Sequence, residues 1–322
     1  MIKALAITGP TASGKTELSL KLALALGCEI ISCDSMQIYR FMDIGTAKAT
    51  ASERKIVRHH LIDAVLPSES FSVQDYREAA LSAAREIVSR GKIPLFVGGT
   101  GLYIDSVARA DTSSAVPESD RAYREELLSE VKCDEDRERL WQRLFEVDPI
   151  SAAAIHKNNL RRVVRALEIY EKTGKPKSYF DELSKTAEPE IELCMFTLDF
   201  QDRELLYSRV NERVDKMMEQ GLLGEVTSLV EAGLLPKSST AAQAIGYKEL
   251  IEHIEGRCTL TEAVEQIKLS SRRYAKRQLT WFRHEADAIT VTLDEGGAMR
   301  QQNDVLAEIT DAALEFINER EK

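Results

Sequence analysis

Short apolar runs alternate with longer stretches of helical spacing along most of the chain. Ala4 to Thr8, Glu29 to Cys33, Ile93 to Val97 and Leu193 to Phe200 read as strands, with a shorter one near Ile289 to Leu293 and a terminal helix after it. Near-continuous apolar strands separated by helices are the pattern of a parallel sheet covered on both faces. A helix opens at Lys15, and another long one runs from Thr261 to His284. From Asp202 to Ala232, Leu206, Val210, Val214 and Met217 recur at the spacing of a buried helical stripe. Between the third and fourth strands the pattern changes. The segment from Pro117 to Glu190, bounded by Pro117 and Pro189, is rich in Glu, Arg and Leu, shows no strand period and reads as a helical lobe. Inside it Leu160, Val163, Val164 and Leu167 mark the apolar face of a helix that Gly174 ends and Pro176 keeps ended. The expected organisation is an α/β core of residues 1–116 and 191–322 carrying a helical insertion domain at 117–190.

The first strand runs into Gly9-Pro10-Thr11-Ala12-Ser13-Gly14-Lys15-Thr16, a complete Walker A loop. Strand, glycine turn and helix N-terminus together aim backbone N–H groups and the helix dipole at phosphate oxygens. The expected fold is therefore a P-loop NTPase-like parallel sheet flanked by helices. Lys15 is expected to meet the terminal phosphates, and the Thr16 hydroxyl a bound Mg2+. An ordinary ATPase would place a magnesium-supporting Asp after a later strand, but Ile93 to Val97 leads into Gly98-Gly99-Thr100-Gly101. Asp34 does end the second strand, at the edge where open parallel sheets bind ligands. It reads equally as the cap of a turn, since Asp–Ser pairs favour turns.

Eight elements in order are similar to those of the tRNA dimethylallyltransferases, the isopentenyl-tRNA transferases, of bacterial type. They are the Walker A loop, Asp34-Ser35-Met36-Gln37-Ile38-Tyr39-Arg40, Asp43-Ile44-Gly45-Thr46-Ala47-Lys48, His59-His60-Leu61-Ile62-Asp63, Gly98-Gly99-Thr100-Gly101-Leu102-Tyr103, Arg161-Arg162-Val163-Val164-Arg165-Ala166-Leu167-Glu168, Ala244-Ile245-Gly246-Tyr247-Lys248-Glu249 and Tyr274-Ala275-Lys276-Arg277-Gln278-Leu279-Thr280-Trp281-Phe282-Arg283. The resemblance covers nearly the whole chain up to Arg283. It implies transfer of a dimethylallyl group from dimethylallyl diphosphate to the exocyclic N6 amine of the adenosine 3′ to the anticodon, with release of diphosphate, Mg2+ as cofactor and no use of ATP. By the same resemblance, Gly9, Pro10, Thr11, Ala12, Ser13, Gly14, Lys15 and Thr16 hold the diphosphate. Asp34 is the base, and Thr100, Arg203 and Arg209 complete the catalytic set. Contacts to tRNA are implied for Asp34, Ser35, Met36, Gln37, Thr100, Arg124, Arg161, Arg162, Val163, Val164 and Arg165. They are implied also for Gln243, Ala244, Ile245, Gly246, Tyr247, Lys248, Lys276 and Arg277.

Charge complicates a nucleic-acid substrate, because the net charge is −10 and phosphate binding demands cations. Their distribution answers part of this. Lys157, Arg161, Arg162, Arg165, Lys172, Lys175 and Lys177 cluster in one stretch, and Lys268, Arg272, Arg273, Lys276, Arg277 and Arg283 in another. The first reads either as a phosphate-binding face or as an ordinary solvated one. In the second, Tyr274, Trp281 and Phe282 interleave the cations and could stack on a base, or could pack as the core face of a helix. Five cysteines, Cys28, Cys33, Cys133, Cys194 and Cys258, with no C-x-x-C pair, indicate neither a disulfide framework nor a zinc site. His59 and His60 next to Asp63 suggest a metal less than a core or hinge position. No apolar run spans a membrane, and Met1-Ile2-Lys3 leads directly into a strand, so the expected location is cytoplasmic and the expected state a monomer. Two other readings use the same loop: a small-molecule kinase with Asp34 activating a hydroxyl, and a noncatalytic RNA-binding or regulatory P-loop protein.

Overall fold

The computed structural model describes residues 1–109, 120–186, 188–285 and 287–319. The chain divides into two compact units, Met1–Ala108 with Ile191–Lys322, and Arg109–Glu190. The boundary expected at 116/117 lies outside the described residues.

The larger unit is built on strands β1 (Ile2–Thr8), β2 (Cys28–Ser32), β3 (His59–His60), β4 (Ile93–Val97), β5 (Ile191–Asp199) and β6 (Ile289–Thr292). They pair in the order β3-β2-β4-β1-β5-β6, each pair parallel. Successive residues of β1 bury into different cores, as a period of two requires. Leu5 and Ile7 join a cluster with Leu18 and Leu22 of α1 (Lys15–Leu26) and Ile309 of α14 (Gln302–Asn318). Ala4 and Ala6 join one with Tyr76 and Ala80 of α3 (Val73–Ser89) and Ile104 of α4 (Gly101–Ala108). The sheet is thus covered on both faces.

Two details depart from the sequence pattern. The expected helical stretch from Asp202 to Ala232 is two helices, α10 (Arg203–Glu219) and α11 (Leu222–Glu231), because Gly221 adopts φ 97° and turns the chain between them. β3 carries His59 and His60 on the sheet edge, where His60 Nε2 donates to Glu29 Oε2 at 2.8 Å and His59 Nδ1 donates to the Val57 carbonyl at 2.7 Å. Burial alone would raise the Glu29 pKa, but hydrogen bonds from Arg90 and His60 hold it at about 2. His60 is thus tied to Glu29 and His59 to the Val57 backbone, and His59 also borders the cavity beside Lys15 and Thr16. Remaining helices include α2 (Ala51–Ile56), α12 (Tyr247–Ile254) and α13 (Leu260–Phe282).

The smaller unit is helical, with α5 (Arg121–Ser129), α6 (Asp134–Val147), α7 (Pro149–Ala154), α8 (Leu160–Thr173) and α9 (Lys177–Thr186). Leu127, Leu140, Leu144, Val163, Val164 and Leu167 form its core. Gly174 closes α8 in the left-handed conformation, φ 67°. No helix among the described residues is long and apolar enough to cross a membrane.

Candidate active site

Three loops leave the carboxyl ends of β1, β2 and β4 together, and backbone hydrogen bonds fasten them. Cys33 N donates to Val97 O at 2.7 Å, Gly98 N to Ile7 O at 3.2 Å, and Thr100 N to Cys33 O at 3.1 Å. The β1 loop is the Walker A sequence. Gly9 takes φ 134°, and a Cβ there would lie 2.7 Å from Leu198 O, so only glycine fits against β5. Ala12 is held at φ 65°, a backbone cost that neighbouring bonds must sustain. Two of those bonds come from distant helices. Arg209 Nε of α10 donates to Ala12 O at 3.0 Å, and Thr11 N donates to Gln278 Oε1 of α13 at 2.9 Å. Gln278 Nε2 in turn donates to Gly99 O at 2.9 Å, joining the phosphate loop to the turn that carries Thr100.

The loop encloses a small polar cavity of about 120 Å³ lined by Lys15, Thr16, Asp34, Gln37, Arg213 and Tyr274 among others. Lys15 Nζ donates to Gly9 O at 3.0 Å, Pro10 O at 2.6 Å and Ser13 Oγ at 3.3 Å. Burial, helped by the Arg213 charge and opposed by Asp34, pulls the Lys15 pKa down from 10.5 to about 7. A second, more apolar cavity of about 270 Å³ adjoins the first through shared residues: Thr11, Asp34, Arg213 and Tyr274 line both. Its other walls include Met36, Val210, Val214, Met217, Tyr247 and Ile267.

Asp34 therefore stands at the junction. Its Oδ1 also accepts from Met36 N at 2.9 Å, so the cap reading and the cavity-facing reading describe the same carboxylate. Thr100 Oγ1 accepts from Ser35 N at 3.1 Å and positions the turn after Asp34. Tyr274, whose hydroxyl is pushed up to about 12 by burial and the Asp34 charge, carries Arg277 over its ring at 5.5 Å. The second basic stretch is thus both a core helix, through Ala275, Gln278, Leu279 and Phe282, and a cavity wall, through Tyr274 and Arg277. Part of its charge is spent elsewhere, since Lys268 pairs with Asp215 at 2.8 Å and Arg283 with Asp199 at 2.8 Å.

The expected site residues fall in different surroundings. Arg203 is exposed at the first position of α10 and lines neither cavity; Arg213, which the sequence reading missed, lines both. Its place two helical turns and more beyond Arg203, one turn after Arg209, keeps it beside the Val210–Val214 stripe that faces inward. Arg209 braces the loop through Ala12 without lining a cavity. Val163 and Val164 are fully buried in the helical unit's core and have no side-chain surface to offer a ligand. Glu168, which falls between Arg165 and Lys172 of the basic stretch, is also fully buried; it takes Arg124 Nε and Arg165 Nη1, each at 2.7 Å. Those two arginines are partners of a buried carboxylate, whereas Arg161 and Arg162 are exposed. Ser35, Met36, Gln243, Ala244, Ile245, Gly246 and Tyr247 all line the larger cavity, while Lys248 and Lys276 are exposed outside it.

For a cation, the smaller cavity offers the Thr16 hydroxyl and the Asp34 carboxylate. Among the described residues no group of three or more His, Cys, Asp or Glu is placed to share a metal ion. That donor set suits Mg2+, which keeps water and substrate phosphate oxygens around one or two protein ligands.

A phosphate loop at the carboxyl edge of a parallel sheet, beside a second and more apolar cavity that shares Asp34, makes this a P-loop NTPase-like protein. A family model described as IPP transferase matches residues 37–285, and the chain belongs to that family. The tRNA dimethylallyltransferase of Carboxydothermus hydrogenoformans is 49% identical over 284 residues, 88% of this chain and 89% of that protein. The crystal structure of the full-length tRNA isopentenylpyrophosphate transferase from Bacillus halodurans matches with a TM-score of 0.71 at 42% identity, covering 99% of this chain and 98% of that one. A eukaryotic dimethylallyltransferase, solved acting on tRNA, matches with a TM-score of 0.82 at 30% identity, covering 100% of this chain and 81% of its own.

Proposed function

We propose that the protein transfers the dimethylallyl group of dimethylallyl diphosphate to the N6 amine of the adenosine 3′ to the anticodon in tRNA, releasing diphosphate. The observation that carries this reading is the pair of cavities joined at Asp34. One is polar and wrapped by the phosphate loop; the other is more apolar, with Met36, Val210, Val214, Met217 and Ile267 among its walls, and suits a flat base and a short hydrocarbon. A kinase would also seat its acceptor beside Asp34, and the Met36, Val210, Val214 and Ile267 walls there suit a hydrocarbon better than a hydroxyl compound.

In the proposed reaction the allylic C1–O bond breaks and its electron pair leaves with diphosphate. A bond forms between C1 and N6, and the amine proton passes to the Asp34 carboxylate. Loop amides, Lys15 and Arg213 answer the charge that grows on the leaving group, and such fixed donors lower the barrier selectively. Mg2+, held by Thr16, would supply further neutralisation of that charge. Because the acceptor base must leave its stack to reach Asp34, the adenosine enters flipped. The exposed Arg161 and Arg162 of the helical unit, with Lys248 and Lys276 of the core, are the cations proposed for tRNA phosphates. A cytoplasmic monomer fits this role.

The direct test is incubation with Mg2+, unmodified tRNA bearing the adenosine, and either dimethylallyl diphosphate or ATP. Prenylated adenosine with matching diphosphate, formed without ATP, is the expected result. Phosphate transfer from ATP with no prenylated product would replace this reading with the kinase.

Lys15 gives a second test. Between its native pKa of about 7 and the ordinary 10.5, the unfolded chain keeps a proton that the native protein has lost. The lysine therefore costs native stability below pH 7, and the cost is relieved as pH rises through that window. A diphosphate in the cavity restores the charged amine. Above pH 7, inorganic diphosphate is expected to bind with proton uptake and to weaken as pH rises. Calorimetry in two buffers of different ionisation enthalpy reads the uptake, and Lys15→Arg, charged throughout, should lack the lysine's share. Identical uptake in the two proteins would show that Lys15 stays charged when the cavity is empty.

A further inference from the structure

The segment Asp43 to Lys48 and the motif Gly246-Tyr247-Lys248 meet at one carboxylate that neither contains. Glu225, in the first turn of α11, accepts from Asp43 N at 2.9 Å and Ile44 N at 2.7 Å through Oε2, and from Gly45 N at 3.2 Å through Oε1. The Tyr247 hydroxyl donates to the same Oε1. Three successive backbone N–H groups converging on one anion form a nest, an arrangement with a fixed preference for negative charge. An acid in a first helical turn ordinarily serves its own helix. Here it is spent on a distant loop and a tyrosine.

Both partners are cavity walls. Gly45, Thr46 and Tyr247 line the 270 Å³ cavity, and Glu225 does not. Tyr247 is fully buried, and a Cβ on Gly45 would come within 2.5 Å of its ring, so loop backbone and ring are in direct contact. Burial and the facing carboxylate drive the Tyr247 pKa far above its ordinary value, which keeps the hydroxyl a donor. Buried Lys48 holds the other end of the loop and reaches its start: Nζ donates to Tyr39 O at 2.8 Å, Asp43 Oδ1 at 2.6 Å and Asp63 Oδ1 at 2.7 Å, and Lys48 N donates to Asp43 O at 3.0 Å. The three N–H groups of the Asp43–Gly45 turn point the other way and close on Glu225.

We infer that Glu225 is a positioning residue: its carboxylate sets the Asp43–Gly45 turn and the Tyr247 ring as walls of the acceptor cavity without touching either substrate. The inference rests on the prenyl-transfer reading above, with the larger cavity taking the acceptor base. Charge-assisted hydrogen bonds are the strong ones, so Glu225→Ala is expected to lower kcat/KM for tRNA by roughly 10- to 100-fold. Binding of inorganic diphosphate with Mg2+ should be unchanged, because the phosphate loop makes none of these bonds. Formate, a free carboxylate small enough for the vacated nest, should restore activity to Glu225→Ala in a saturable way and leave the parent unaffected. Glu225→Gln, which keeps an acceptor oxygen but presents an amide to the remaining donors, should fall between.

A role in fold stability alone would lower Tm and leave the activity of each folded molecule unchanged; measuring both below the variant's Tm separates the cases. Parental kcat/KM in Glu225→Ala would overturn the inference, as would a deficit that formate fails to relieve. A parent that transfers no prenyl group sinks the functional reading and this inference together, whereas an active parent with an unaffected variant sinks this one alone.

Discussion

Asp34→Asn is expected to lower kcat by roughly 10²- to 10⁴-fold, the usual contribution of a positioned general base. Asn is the informative replacement because its amide oxygen can still accept from Met36 N, the bond that Asp34 Oδ1 makes at 2.9 Å. The turn is preserved while proton acceptance is removed. Binding of tRNA, and of inorganic diphosphate without Mg2+, should therefore stay near parental levels, with the loss confined to the chemical step in a single-turnover assay. Turnover within a few-fold of the parent would place the base elsewhere, and lost binding with an unchanged chemical step would leave Asp34 only its cap.

Arg213→Ala is expected to cost about 10²- to 10³-fold in kcat, the range seen when one donor to a developing anion is removed. Arg213 lines both cavities and is coupled to Lys15 and Asp34 by charge, and burial draws its own pKa down, although an arginine stays protonated at neutral pH. Lysine should restore only part of the rate, since it offers a point charge where the guanidinium offers a fork. Arg203→Ala is the comparison that decides between the two arginines. Exposed and outside the cavities, it should lie within a few-fold of the parent. Equal losses in the two variants would restore Arg203 to the site.

The difference between these arginines shows how far the sequence could be read. Core strands were legible because a parallel sheet buries both faces, so Ala4 to Ile7 and Leu95 to Phe96 are apolar without interruption. The Walker A loop was legible because its chemistry needs particular residues at fixed spacing. β3 was not, since two histidines at a sheet edge carry no apolar period. Arg213 was hidden because an arginine on an amphipathic helix reads as solvent-facing until the helix is docked. The one available signal was its place beside Val210 and Val214, one turn beyond Arg209. Glu168 failed in the same way: on a charge-rich helix face it looked solvated, yet tertiary packing buries it and supplies two arginines to compensate. Long-range pairings such as Thr11 with Gln278 have no local trace at all.

The register of β1 has a consequence for synthesis. On one side β1 pairs with β4, which leaves the ribosome early; on the other, Ile2 pairs with Ile191 and Thr8 with Thr197 of β5. At roughly 5–20 residues per second, translation takes about ten to forty seconds to supply that second partner. Throughout that interval an apolar strand, fully buried from Ala4 to Ile7 in the finished protein, presents an open edge. The helices of the insertion, whose buried core cluster among the described residues runs from Leu127 to Leu167, are made of contacts close in sequence and can pack meanwhile. Until β5 is made the β1 edge has no partner on that side, so the growing chain can complete the sheet only after the inserted helices, which precede β5 in sequence.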